Sequence, residues 1–146
     1  MVAVGVWAGV KGGRAVWAVP SAFVAAMVAG ALLGAQGVPV PMVELGIAGS
    51  VVVLGLIVAA DRAVATGLAM IVVAAFGLVH GHAHGTEMPI DGSGVAYGAG
   101  FVVATAALHH LGVALGPLAG AGVPRAALRA GGAAIAVAGI VFLAQG

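Results

Sequence analysis

The chain has 146 residues, is 63% hydrophobic, and carries five basic and four acidic side chains for a formal net charge of +1. A soluble domain of this length cannot hide that much apolar surface, which excludes the soluble class. The near-neutral charge argues against a nucleic-acid partner, because the sequence carries no basic run that would track a phosphate backbone, and the absence of cysteine removes disulfides and thiolate metal sites.

A bilayer span needs about 20 apolar residues in a helix. The chain opens on Met1–Val10, which is apolar and helix-like but only about half a span long at 1.5 Å per residue. It is read as the end of a longer first helix whose upstream part lies beyond the sequence. Five full spans follow, over residues 15–35, 41–60, 63–84, 93–116 and 125–145. Pro41 suits the first turn of the second span. Asp91 or Ser93 suits the N-cap of the fourth. Gly81 and Gly85 weaken the end of the third, which is expected to unwind in part. The fold class is therefore all-α: a polytopic transmembrane helix bundle of five full spans plus an N-terminal half-helix, in one transmembrane domain over residues 1–146.

The 26 glycines fit such a bundle, since small residues let helix backbones approach closely in lipid. Small-xxx-small spacing recurs at Gly5/Gly9/Gly13, Gly30/Gly34, Gly77/Gly81/Gly85, Gly94/Gly98 and Gly112/Gly116, and predicts a tight bundle rather than a loose pore. Lys11, Arg14, Arg62, Arg125 and Arg129 all fall on one side of this topology. The positive-inside rule makes that side cytoplasmic. Glu44, Glu87, Asp91 and the C-terminus then lie outside. Trp7, Trp17 and Tyr97 are read as interfacial or packing aromatics.

The chemistry concentrates at the end of the third span, in His80-Gly-His82-Ala-His84-Gly-Thr-Glu87. Ionisable groups in membrane helices are costly and mark functional sites. Imidazole suits nickel, cobalt, copper and zinc. On a helix His80, His84 and Glu87 share one face at i, i+4 and i+7, while His82 points nearly the opposite way. That face offers three ligands to one divalent ion. Neutral imidazoles bind metal and protonated ones do not, so capture is expected to weaken in acid. His109 lies deeper, on a stripe with Thr105, Gly112 and Gly116. In straight helices it sits roughly 21 Å below its outer helix end, against roughly 6 Å for His80. It is either a second metal station or a packing histidine bonded to a carbonyl. His110 is read as packing. Glu44, in the first turn of the second span, either supports the metal or simply interacts with the helix dipole.

These residues resemble the HupE/UreJ family of nickel/cobalt permeases. His80-Gly-His-Ala-His84-Gly-Thr-Glu87 is similar to the signature F-H-G-x-A-H-G-x-E, with Phe76 four residues ahead of His80 rather than beside it. The family's glutamate helix resembles Pro41 to Gly55, and its histidine helix resembles Gly100 to His109. A further signature in the family's first helix, H-P-x-x-G-x-D-H-x-x-A-M-x-x-V-G, matches here only in its tail, Met1 to Gly5. The resemblance implies that an upstream extension would carry a His/Asp-bearing segment facing His80 and His84. It also implies uptake or accessory delivery of Ni²⁺ or Co²⁺ at the bacterial inner membrane, with hydrogenase or urease maturation proteins as partners.

Together these point to a metal permease whose candidate ligands are His80, His82, His84, Glu87, Glu44 and His109, and whose other partners are the lipid bilayer and a second copy of itself. The alternative is a non-transporting membrane protein that holds metal for partner proteins. No nucleophile setting and no H-E-x-x-H motif supports an enzyme.

Overall fold

The computed structural model describes residues 1–61, 64–119 and 124–145. It is built of α1 (Val2–Lys11), α2 (Ala15–Ala35), α3 (Val43–Ala60), α4 (Thr66–Thr86), α5 (Gly94–Leu115), a short 3-10 turn (Gly116–Ala119) and α6 (Arg125–Gln145). Among the described residues, five of these helices are long and apolar enough to cross a membrane, and α1 is the short one. The chain is a multi-pass membrane protein. Its large side chains explain why: Leu32, Leu56, Leu68, Ile71, Val103, Val137 and Phe142 are exposed on the bundle surface, which only a hydrocarbon surrounding tolerates on this scale.

The helix ends follow local chemistry. α3 begins at Val43 rather than at Pro41, because Met42 adopts a left-handed conformation at φ 58° and a right-handed helix can start only after it. α4 begins at Thr66, after an extended Ala65, and the Lys11 ammonium donates to the Val64 carbonyl ahead of it. Residue 63, the expected start, lies outside the described residues. Ser93 occupies the N-cap position of α5, but its side chain caps nothing there. Its hydroxyl and its backbone N–H both donate to the Asp91 carboxylate. These bonds hold the exposed Asp91 carboxyl below its ordinary range. A depressed carboxylate stabilises its turn at neutral pH, and that contribution is lost only as pH falls through the lowered value.

Three helix pairs make the bundle: α2 with α4, α3 with α6, and α1 with α5. Each pair is closed by glycine. A Cβ on Gly77, Gly81 or Gly85 of α4 would collide with the carbonyl of Phe23, Met27 or Ala31 on α2. In return, Gly30 and Gly34 of α2 lie against the carbonyls of Leu78 and His82. Gly5 and Gly9 close on Gly112 and Gly116 in the same manner, and Gly55 closes on Gly132. This packing also explains why α4 does not unwind at Gly81 and Gly85. The close backbone contacts offset the roughly 1 kcal/mol that glycine costs a helix.

Two expected glycine sets serve otherwise. Gly13 turns the chain between α1 and α2 at φ 56°. Gly94 meets the Pro89 carbonyl and Gly98 the Met88 side chain, so this pair folds its own connection instead of packing a helix. The bundle is also less uniformly tight than the glycine pattern implies. α6 leans chiefly on α3, and a cavity of about 670 Å³ opens between α1, α3 and α6.

Polarity divides the ends. Lys11, Arg125 and Arg129 gather where α1 finishes, α3 finishes and α6 begins. Arg14 opens α2 at that same end, and Arg62 lies outside the described residues. His80, His82 and His84 occupy the opposite end, in the last turns of α4.

Replacing Gly81 by leucine should drive a side chain into the Met27 backbone and cost about 1–3 kcal/mol or more. Gly49 has no atom within 4 Å of an added Cβ, so Gly49→Leu should leave stability nearly unchanged. Thermal unfolding of both variants in detergent checks this contrast.

Candidate metal centre

α4 presents its histidines beside its glycine stripe. His80 and His84 each precede a packing glycine by one residue, about 100° around the helix. With the glycines seated on α2, the two imidazoles turn into the angle between α2 and α5. His84 stacks on Phe101 of α5 with centroids 4.9 Å apart and planes 13° apart. Its Nδ1 lies 3.2 Å from the Tyr97 hydroxyl. His80 Nδ1–H donates to the Phe76 carbonyl at 2.8 Å. A carbonyl only accepts, so this bond places the lone pair of the neutral ring on Nε2. Metal-ligating histidines are commonly oriented by such a bond from the other ring nitrogen.

Phe23 of α2, 1% exposed, joins this outer group to the deeper histidine. Its ring lies 5.8 Å from the His80 ring and 5.1 Å from the His109 ring, the latter edge to face at 80°. The two imidazole centroids are therefore no more than about 11 Å apart. The separation expected from straight, level helices is larger. The difference comes from helix offset. Phe101 stands seven residues into α5, yet it is level with His84, near the end of α4. Below that shared level His80 is four residues down one helix and His109 eight down the other, an axial interval of about 6 Å.

His109 is 1% exposed, and neither ring nitrogen has a hydrogen-bond partner among the described residues. A buried unpartnered imidazole costs roughly 1–3 kcal/mol. The carbonyl that a packing histidine would require is absent from its surroundings among the described residues. One turn before it, the Thr105 hydroxyl meets the Met27 sulfur at 3.5 Å and ties α5 to α2.

The remaining candidates are placed differently. His82 is buried on the far side of α4 and donates from Nε2 to the Val38 carbonyl in the α2–α3 connection at 2.7 Å. Glu87 is exposed at the C-cap of α4. Glu44 is exposed in the first turn of α3. His110 faces outward, donates to the Ala106 carbonyl at 2.7 Å, and meets Trp17 edge-on at 6.3 Å. Among the described residues, no three His, Asp or Glu side chains converge on one point. The arrangement is a line instead: His84, His80, Phe23, His109.

Sequence reasoning missed Phe23 and took Tyr97 for an interfacial or packing aromatic. Phe23 sits in an apolar run with nothing to distinguish it, and only the contact between α2, α4 and α5 reveals its place. Tyr97 carried a weak signal, as the one tyrosine of the chain. A phenol inside an apolar bundle needs a partner.

Comparison with known proteins places the chain in a family. The family model described as HupE / UreJ protein matches residues 1–142. The chain belongs to the HupE/UreJ family. It is similar to Protein HupE of Rhizobium leguminosarum bv. viciae, 47% identical over 143 residues, covering 98% of this chain and 75% of that relative. No solved structure matches.

His82 should prove structural. His82→Ala removes the bond to Val38 and should lower stability by about 1–3 kcal/mol. His110→Ala, whose bond lies on the exposed surface, should cost less. Thermal midpoints of the two variants in the same detergent decide the ranking.

Proposed function

We propose that this protein moves nickel or cobalt ions inward across the bacterial inner membrane and supplies them to hydrogenase or urease maturation. The observation that carries the reading is His109: a fully buried imidazole with neither nitrogen partnered among the described residues, in contact through Phe23 with a second imidazole whose tautomer is preset. Two free imidazole nitrogens on one line suit a borderline transition-metal ion better than a hard one. Family membership supports a transport or accessory role rather than an enzyme.

In this mechanism the ion is the cargo. His84 and Glu87 meet it at the outer end, with Glu44 adding negative charge nearby. His80 takes it through Nε2, held in place by the Phe76 carbonyl. Phe23 is the apolar partition between His80 and His109, so passage requires its ring to move aside. His109 offers the next ligand, and the ion leaves toward the basic end. Each station offers few protein ligands, which favours release as well as capture, as conduction demands.

A second reading, a metal-holding accessory protein that does not transport, is favoured by one observation. Phe23 is buried and fills the interval between the two imidazoles. Uptake of Ni²⁺ or Co²⁺ into sealed proteoliposomes separates the two readings. Transport predicts uptake that His109→Ala abolishes while outer-end binding persists. His80→Ala and His84→Ala should each weaken binding by about tenfold or more, and His82→Ala far less. Binding without uptake supports the accessory reading, and equal effects of all three outer histidines remove the ordered line.

The proposed orientation puts the basic end in the cytoplasm. A cysteine introduced at Gln145 should then react with an impermeant thiol reagent added from the periplasmic side. Reaction only after the inner membrane is broken would reverse the direction of transport.

A further inference from the structure

We propose that the cavity at the basic end is a binding site for an anionic phospholipid, with its phosphate on Lys11, Arg125 and Arg129 and its acyl chain against the wall formed by Val6, Trp7 and Ile57. Among the described residues, the cavity of about 670 Å³ is lined by these three cations and by a single carboxylate, Asp61. Its volume lies within the roughly 300–1,000 Å³ usual for small-molecule sites. Its position is the membrane boundary, where α1 and α3 finish and α6 begins. Phosphate headgroups lie at that level, and basic pockets between membrane helices hold them.

The cations are arranged for a phosphate rather than for one another. Lys11 donates one ammonium N–H to the Val64 carbonyl, which leaves two donors free among the described residues. Among the described residues Arg129 spends only its Nε–H, on the Ala59 carbonyl at 2.9 Å. Its terminal nitrogens remain, in the geometry that grips phosphate oxygens in pairs. Arg125 reaches Asp61 at 3.8 Å, but its side chain is 80% exposed, so the pair is weak and easily exchanged. Two backbone carbonyls thus fix two of the three cations at the rim. Below the rim the lining is apolar. A site that is cationic at the boundary and apolar beneath matches an amphipathic ligand. A free phosphate would use only its upper part. Since α6 packs chiefly on α3, a lipid there would also complete the packing of α6 beside α1.

Trp7 gives the test. It lines the cavity and is 7% exposed, so bulk lipid does not reach it. Trp17, the other tryptophan, is 68% exposed and meets lipid anyway. In the Trp17→Phe protein, Trp7 is the single indole. Reconstituted in phosphatidylcholine vesicles, it should be quenched by a low fraction of phosphatidylglycerol with brominated chains, well beyond that lipid's share of the bilayer. Brominated phosphatidylcholine should quench it little. Arg125→Gln touches no backbone bond and should keep the fold, yet weaken apparent lipid affinity roughly fivefold, as expected for one interfacial cation. Arg129→Gln should do the same. Arg14→Gln removes a cation of the same end that does not line the cavity, and should change affinity little. Equal quenching by both lipids overturns the proposal, as does an Arg14→Gln effect as large as that of Arg125→Gln. Stabilisation of the detergent-solubilised protein by inorganic phosphate to the same degree as by phosphatidylglycerol also overturns it, in favour of a simple anion site.

Discussion

The structure depends on one contact, the seating of the α4 glycines on the backbone of α2. Gly77, Gly81 and Gly85 bring bare Cα atoms against the carbonyls of Phe23, Met27 and Ala31, and Gly30 and Gly34 return the contact. Lipid offers no hydrophobic drive for apolar helices to associate, so close packing must supply the attraction. That contact also fixes the rotation of α4. With the glycine stripe committed to α2, the neighbouring stripe of His80 and His84 has one direction to face, and Phe23 comes within van der Waals reach of it. Helix association and the placement of the histidine cluster are thus one event.

The same economy runs through α5. Gly112 and Gly116 lock α5 to α1, and the stripe that carries them also carries Thr105 and His109 to the buried side. The hydroxyl of Thr105 is satisfied by Met27. The imidazole of His109 is left without a partner among the described residues. A polar group in that condition is expensive, and a bundle whose purpose was only packing would place an apolar residue there. The two ends of the molecule divide the remaining work. One end gathers imidazoles; the other gathers cations that border a cavity with an apolar wall.

Much of this was legible in the sequence. Helix number and helix type followed from apolar runs of span length, and α2 and α6 fall on their expected limits. Glycine spacing identified the packing faces of α1, α2, α4 and α5. The histidine cluster stood out because ionisable groups are so costly in lipid. Errors arose where one residue's backbone state decides an element's end: Met42 in a left-handed conformation and extended Ala65. Ser93 does stand at the N-cap of α5, but its hydroxyl bonds Asp91 instead of the helix. Gly94 and Gly98 misled because their spacing is the same whether the opposing surface is a helix or their own connection.

The sequence by itself determined the periodic properties: span length, face, and sign of charge at each end. These depend on the fixed rise and rotation of a helix, which every residue carries with it. Only the tertiary structure decided how far one helix slides along another. The stacking of His84 on Phe101 sets α5 higher than α4 and brings His109 to within about 11 Å of His80. No periodicity encodes that offset, because it results from the fit of particular side chains between helices distant in the chain. For the same reason Phe23 became part of the site, one more apolar residue in an apolar helix until α4 and α5 closed around it.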